Sequence, residues 1–323
     1  MEKKILTLIA ESDYAPKAID VYKKLGGVYF WSDLKEKDKT SIFPKVNILV
    51  LRLALRVDKE LIDKMPALKV IATSTTGLEH IDTAYAEKRR IKLISLRGHT
   101  AFLEKIPSTA EETIGLMISL MRNLPWAFED VKSGRWNNNR WVGRQLLGKT
   151  LGILGFGRLG KIVAGYAKAF GMNVVACDPH VSEKNMKARG VEKVDMETLF
   201  KNSDIVSLHV LLHDDTYNLV KVKHLKMMKT SAYLVNTARG ELLEKGALLK
   251  ALKNKWIAGA AVDVLWDERS DGSHLKHDGL RQYAKNQSNL IIVPHIGGTT
   301  YEAKEITQEF IAELVQKYIE SGK

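Results

Sequence analysis

A chain of 323 residues with an apolar share of 45% is long enough for two globular domains. Its formal charge of +12 invites a nucleic-acid reading, but lysines and arginines are mixed with acids, as in Lys35-Glu36-Lys37-Asp38-Lys39, and no basic stretch is interleaved with stacking aromatics. A single cysteine, Cys177, excludes an internal disulfide framework or a cysteine-rich metal site, and no apolar run reaches the roughly eighteen residues that would span a bilayer.

The chain opens with Met1-Glu2-Lys3-Lys4 and only a short strand-like run before Glu11, unlike a signal peptide. A cytoplasmic setting is expected, with neither nucleic acid nor membrane as partner. A solvated basic surface would instead draw in small anions.

From Met1 to about Arg97, short apolar runs alternate with amphipathic stretches. Ile5 to Ile9, Val28 to Trp31, Ile48 to Leu51, Val70 to Ala72 and Leu93 to Ile94 read as strands, and Pro16 to Leu25 and Asp58 to Met65 as helices. The alternation predicts a small α/β unit with a parallel sheet. It has no phosphate-binding turn, which points to a substrate-binding role. Within it, Ser74-Thr75-Thr76-Gly77-Leu78-Glu79-His80-Ile81-Asp82 follows a strand, and backbone N–H groups presented there could hold a carboxylate. A plain strand-to-helix connection fits the local sequence equally well.

Pro107-Ser108-Thr109-Ala110-Glu111 predicts a helix opened by a capping box, with Ser108 as N-cap and Glu111 three residues on. Ile114, Met117, Ile118, Met121 and Leu124 form its apolar face, and Pro125 ends it. Trp126 to Trp141, with three tryptophans in a polar setting, reads as an extended crossing segment. Its aromatics need a surface to bury against, which a second subunit could supply.

Lys149-Thr150-Leu151-Gly152-Ile153-Leu154-Gly155-Phe156-Gly157-Arg158-Leu159-Gly160 reads as a buried strand, a glycine-rich turn and a helix start. Gly155 permits the tight turn, Gly157 lets a pyrophosphate approach the backbone, and Gly160 lets helix and strand pack closely. The phosphates would sit at the N-terminus of the helix from Arg158 to Phe170. A second strand, Asn173 to Cys177, ends at Asp178, where a carboxylate would accept the adenosine ribose hydroxyls and repel a 2′-phosphate. The cofactor expected is therefore NAD.

Ile205 to His209, Tyr233 to Asn236, Ala258 to Val264 and Leu290 to Val293 are the remaining strands. Helices from Met196 to Lys201, His224 to Met228 and Lys245 to Asn254 lie between them, making a doubly wound sheet of six strands. The last helix, Tyr301 to Ile319, is assigned back to the N-terminal unit. The domains expected are 1–102 with 297–323 for substrate and 103–296 for the dinucleotide, with a cleft between them.

Three polar residues fall at the ends of late strands: Arg239 in Asn236-Thr237-Ala238-Arg239-Gly240, Glu268 after Asp263, and His295 in Pro294-His295-Ile296-Gly297-Gly298. Hydride transfer between a nicotinamide and a 2-hydroxy or 2-keto acid needs such a set. An imidazole takes the proton from the C2 hydroxyl, which suits His295. A carboxylate on its other nitrogen fixes the tautomer, the role expected of Glu268. A guanidinium holds the substrate carboxylate through two parallel bonds, the role expected of Arg239. No metal is required.

Taken in order along nearly the whole chain, these motifs resemble the D-isomer-specific 2-hydroxyacid dehydrogenases, a family that includes D-3-phosphoglycerate dehydrogenase. The resemblance implies a Rossmann NAD-binding domain beside a flavodoxin-like substrate-binding domain, and catalysis by Arg239, Glu268 and His295. It implies cofactor contacts from the turn Gly155, Phe156, Gly157, Arg158, Leu159 and Gly160, and from Asp178. Further contacts would come from Thr109, His209 and Val210, from Thr237 and Ala238, and from Asp263, His295 and Gly297. Thr75, Thr76 and Gly77 would bind the substrate carboxylate, and a homodimer would form through the NAD-binding domain. The chain departs from the family at Leu211-Leu212-His213, where many relatives continue H-V with P-L-T. It departs again in the long Arg97 to Lys105 stretch, and in a polar insert from Arg269 to Asn289 whose His274, His277 and Arg281 are expected as solvated loop residues.

Arg52, which follows the third strand, could pair with a distal phosphate, as could Arg56 or Arg97, making 3-phosphoglycerate a candidate substrate. The same arginine could instead bind a neighbouring acid. Phosphite oxidation on the same fold and an NAD(H)-sensing interaction protein are the competing readings. Glu268 stands where formate-oxidising relatives have glutamine, and the intact Arg239, Glu268 and His295 favour catalysis. With the chain ending at Lys323, no regulatory C-terminal domain is expected.

Overall fold

The computed structural model describes residues 5–269 and 271–322; residues 1–4, Ser270 and Lys323 lie outside the described set. The chain divides into two compact units, Met1–Ile106 with Thr299–Lys323, and Pro107–Gly298.

In the first unit five strands, β1 (Ile5–Ile9), β2 (Gly26–Phe30), β3 (Ile48–Leu51), β4 (Val70–Thr73) and β5 (Lys92–Ser95), form a parallel sheet in the order β2-β1-β3-β4-β5. β3 and β4 are apolar almost throughout because both faces are covered. On one face Ile48, Val50, Val70 and Ala72 pack with Ala18 and Tyr22 of helix Pro16–Leu25 and with Ile311, Ala312 and Val315 of helix Tyr301–Glu320. The chain order reverses between β1 and β3. That switch point is where an open sheet places a ligand, and Glu11 and Arg52 leave the sheet there.

The second unit holds β6 (Thr150–Leu154), β7 (Asn173–Cys177), β8 (Glu192–Lys193), β9 (Ile205–Leu208), β10 (Tyr233–Asn236), β11 (Gly259–Val262) and β12 (Leu290–Ile292). All pair in parallel in the order β12-β11-β10-β9-β6-β7-β8. The sheet has seven strands, not six. The addition is β8, whose two charged residues at the sheet edge carry no apolar run to mark them. The switch point lies between β6 and β9, so the turns after these strands flank it.

Several local expectations fail. Helix Ser108–Met121 is preceded by Pro107, without a side-chain cap, so the Ser108 and Glu111 capping box does not form. This helix is buried on more than one side: Ile114 and Met117 pack toward β6, while Leu116 and Leu120 meet Ala261 and Ile291. Pro125 ends nothing; it lies in the first turn of a new helix, Leu124–Lys132, where a missing N–H costs little. Trp126 is therefore helical rather than extended. Trp141 closes a 3-10 turn, Asn138–Trp141, and donates its indole N–H to Asp130 at 2.8 Å. The insert after Glu268 folds as well. It carries the turn Ser273–Lys276 and the helix Gly279–Ala284, whose Leu280, Tyr283 and Ala284 pack on the core beside β12.

Candidate active site

The glycine turn behaves as three separate constraints. Gly155 has φ +92°, and a Cβ there would lie 2.7 Å from the His209 carbonyl. A Cβ on Gly160 would meet the Gly155 carbonyl oxygen at 2.3 Å, so helix Arg158–Ala169 packs on the turn only without a side chain at that position. A Cβ on Gly157 would meet nothing within 4 Å, leaving its side open for a phosphate to reach the backbone at the helix N-terminus. These three environments fit a dinucleotide pyrophosphate.

Of the neighbouring residues, Phe156 is fully buried in the core beneath the turn and donates its N–H to Asp178 Oδ2 at 2.8 Å. Its side chain is thus unavailable to a cofactor. Asp178 Oδ1 accepts the His180 N–H at 2.8 Å. Each carboxylate oxygen keeps a lone pair for a ribose hydroxyl while the acid ties the first turn to the end of β7. Leu159 packs against the same core as Phe156, and burial pulls the Arg158 guanidinium below its usual range.

Across the switch point, His209 bonds Ser207 Oγ through Nε2 at 2.8 Å, while its Nδ1 is enclosed without a partner among the described residues. Burial pushes this imidazole down to about 4, so it is neutral at neutral pH. Val210 lies beside Gly155. After β10, the fully buried Asn236 donates to the Arg239 carbonyl at 2.8 Å and accepts the Ala238 N–H at 3.0 Å, which sets the Arg239 turn. Thr237 meets Thr113 hydroxyl to hydroxyl at 2.9 Å, and Thr113 donates to the Thr109 carbonyl at 2.7 Å.

Arg239 is followed by Gly240, where a Cβ would lie 2.2 Å from the Leu265 carbonyl. The arginine turn is thereby packed directly on the turn that carries Glu268. Glu268 Oε1 accepts the Leu265 N–H at 2.6 Å, and its Oε2 lies 2.6 Å from His295 Nδ1. Asp267 (φ +54°) and His295 (φ +55°) both adopt the left-handed conformation that non-glycine residues avoid. Strain on both arms of one hydrogen bond is a mark of a functional site held by its surroundings. The surroundings are visible: Lys245 pairs with Asp267 at 2.7 Å, the His295 N–H reaches the Asp263 carbonyl at 2.9 Å, and the Asp263 carboxylate accepts the N–H groups of Ile296 (2.6 Å) and Gly297 (2.9 Å). Asp263 reaches them because β11 stops at Val262, shorter than the run to Val264 suggests.

In the first unit the Thr75 hydroxyl donates to the Gly77 carbonyl at 2.7 Å and lies 2.9 Å from the Thr73 hydroxyl, which shapes the turn that includes Thr76. Arg52 has an acid beside it: Glu11 Oε1 accepts the Arg52 N–H at 2.5 Å and the Ala54 N–H at 3.3 Å. Burial raises the Glu11 carboxyl above its usual range and lowers the Arg52 guanidinium below its own, while their opposite charges work against both shifts.

Residues 114–297 match the family model described as "D-isomer specific 2-hydroxyacid dehydrogenase, NAD binding domain". A glyoxylate reductase of Thermococcus litoralis is 36% identical over 305 residues, covering 91% of this chain and 88% of that protein. The chain belongs to the D-isomer-specific 2-hydroxyacid dehydrogenases. It is an NAD-dependent oxidoreductase acting on CH–OH donors. A D-3-phosphoglycerate dehydrogenase of Methanocaldococcus jannaschii is 33% identical over 94% of this chain but only 55% of its own length, so the chain spans about half of that relative. Among solved structures, a D-lactate dehydrogenase from Aquifex aeolicus complexed with NAD and lactic acid superposes with a TM-score of 0.81 at 27% identity, covering 98% and 96% of the two chains.

The second unit of the dehydrogenase thus gathers Thr109, Asp263, Gly297, Glu268 and His295 around the turn after β12, and packs the Arg239 turn beside them. One residue of that group escaped sequence reasoning: Glu112, whose carboxyl lies against Asp263 and Gly297. No helix among the described residues is long and apolar enough to cross a membrane.

Proposed function

We propose that this dehydrogenase interconverts a small, unphosphorylated 2-keto acid and its D-2-hydroxy acid, with Arg239, Glu268 and His295 as the reacting group. The observation that carries the reading is the 2.6 Å bond from Glu268 to His295 Nδ1, which turns the imidazole so that Nε2 is the nitrogen left to exchange a proton. Bound NAD(H) supplies or removes the hydride at the substrate C2. In the reducing direction the His295 Nε2–H gives its proton to the C2 carbonyl oxygen; in the oxidising direction Nε2 takes the hydroxyl proton back. Arg239 orients the substrate carboxylate and polarises the adjacent carbonyl. The glycine turn, Asp178 and Asp263 hold the cofactor.

The choice of an unphosphorylated acid rests on Glu11. The Glu11 carboxylate, held by the backbone N–H groups of Arg52 and Ala54, acts electrostatically on the Arg52 guanidinium, and a phosphate dianion drawn there would meet that charge. A 3-phosphoglycerate reading keeps one supporting observation, the position of Arg52 at a switch point of the first sheet. The exposed apolar side chains Phe128 (64%), Trp136 (89%), Val142 (75%) and Leu147 (64%), all in the second unit, favour a homodimer through that unit.

The test is consumption of NADH with glyoxylate, hydroxypyruvate, pyruvate, 2-ketoglutarate and phosphohydroxypyruvate, beside His295→Ala and Arg52→Ala. Turnover of an unphosphorylated acid that is lost in His295→Ala supports the reading. Preference for phosphohydroxypyruvate that collapses in Arg52→Ala assigns the phosphorylated substrate instead.

A further inference from the structure

Asp263 is 1% exposed, and its two oxygens are taken up by the amides of Ile296 and Gly297. Against it stands a second acid. Glu112, in the first turns of helix Ser108–Met121, has both carboxyl oxygens shut off from solvent, and neither meets a hydrogen-bond partner among the described residues. A Cβ built on Gly297 would lie 2.6 Å from Glu112 Oε2 and 3.0 Å from Asp263 Oδ2, so the two acids close on the same glycine.

Two carboxylates in contact, both cut off from water, cannot each carry a charge; the pair must hold a proton. Burial raises the Asp263 carboxyl above its usual range, while the backbone amides of Gly297 and Ile296, and His295 beyond them, work against that rise and favour its charged form. Glu112 has no such donors. Burial first, and the Asp263 charge second, push Glu112 up to about 8. At neutral pH the proton therefore resides on Glu112, which becomes a donor facing the Asp263 carboxylate.

Resting on the cofactor reading above, we propose that Glu112 is a positioning residue of the dehydrogenase: its carboxyl donates to Asp263, and the pair pins the 295–297 turn, with His295, in the shape that receives the nicotinamide end of NAD(H). The titratable groups around it are few. Asp263 faces it from beyond β11 and His295 lies behind Asp263 from beyond β12. Its neighbour Glu111 acts on Tyr166 of helix Arg158–Ala169, and on the β10 side Thr113 meets Thr237, which does not titrate. Loss of the Glu112 proton would set two buried negative charges against each other and loosen the turn they grip.

The experiment pairs infrared spectroscopy of the protein without NADH with NADH fluorescence titrations at pH 7 and pH 9, for the natural chain, Glu112→Gln and Glu112→Ala. The expected result is a protonated-carboxyl stretch that titrates near pH 8 and is missing from Glu112→Gln. NADH affinity of the natural chain should fall about tenfold from pH 7 to pH 9, following deprotonation of one group. Glu112→Gln, which keeps a donor and cannot titrate, should bind with no such fall, and Glu112→Ala should bind more weakly at both pH values. Absence of the infrared band, or a Glu112→Gln protein with the natural pH dependence, overturns the proposal. A natural chain that shows the band but binds no NADH at any pH overturns it too, and locates the failure in the cofactor reading rather than in the shared proton.

Discussion

Replacing Glu268 by glutamine tests the catalytic reading at its narrowest point. The side chain keeps its length but must satisfy two contacts of opposite demand: Leu265 N–H donates to Oε1 at 2.6 Å, and Oε2 sits 2.6 Å from His295 Nδ1. The amide oxygen is drawn to the Leu265 N–H, because no other arrangement gives that amide an acceptor. The glutamine NH2 is then left facing Nδ1. Loss of charge alone turns a charge-assisted bond, with a net contribution of about 1.5–3 kcal/mol, into a neutral one of about 0.5–1.5 kcal/mol. The difference is roughly tenfold in kcat. The reversed amide adds to this, since an NH2 on Nδ1 selects the tautomer with the hydrogen on Nε2, which cannot accept the substrate hydroxyl proton; loss of tautomer control in such a pair costs orders of magnitude. We expect kcat for oxidation of the hydroxy acid, followed as NADH formation, to fall by about a hundredfold or more, with the dissociation constant for NADH within about twofold of the natural value. A Glu268→Gln enzyme that keeps kcat within threefold of the natural chain would refute the assigned roles.

The glycine turn separates binding from folding. Gly157→Ala places a methyl in open space, so the urea midpoint should stay nearly unchanged while NADH affinity drops at least about tenfold. Gly160→Ala drives a methyl against the Gly155 carbonyl and should lower stability by about 1–3 kcal/mol, read from the same urea curves. His209 gives the acid side of the stability profile. Its folded form is held neutral down to about 4, whereas an unfolded histidine takes up a proton near 6.5. Its contribution is therefore complete above about pH 6.5 and is lost as pH falls toward 4, at up to about 1.4 kcal/mol per pH unit. His209→Asn should flatten that limb of the urea midpoint against pH; an unchanged slope would place the acid sensitivity elsewhere.

Most strands of the dehydrogenase were legible because parallel strands covered on both faces are largely apolar, as Ile48–Leu51 is throughout and Ile205–Leu208 is but for Ser207. The short β8 was illegible for the converse reason: a two-residue edge strand of Glu192 and Lys193 needs no apolar face. Proline misled in a specific way. Pro125 reads as a stop, but the left-handed Asn123 (φ +55°) turns the chain first, and the proline falls where a new helix tolerates it. The polar insert after Glu268 misleads because four packed residues, Leu275, Leu280, Tyr283 and Ala284, are too few to raise a periodic signal among charged neighbours.

Arg239 and His295 stand out as polar residues just after apolar strands, where an open sheet places its ligands, and Glu268, set among other acids, stands out only in their company. Glu112 has no such contrast. It follows Glu111 at a helix start, where acids are expected to favour the positive dipole end, and the pair reads as ordinary capping. Only the folded chain shows that Glu111 faces outward beside the exposed surface while the Glu112 oxygens are sealed against Asp263. The distinction arises from a contact made across the sheet by residues far apart in sequence, and no local pattern encodes it. Burying a carboxyl with no donor of its own is costly in a folded protein. The cost is met if the acid keeps its proton and becomes the donor its neighbour requires, which is why the pair, rather than either residue alone, belongs to the site.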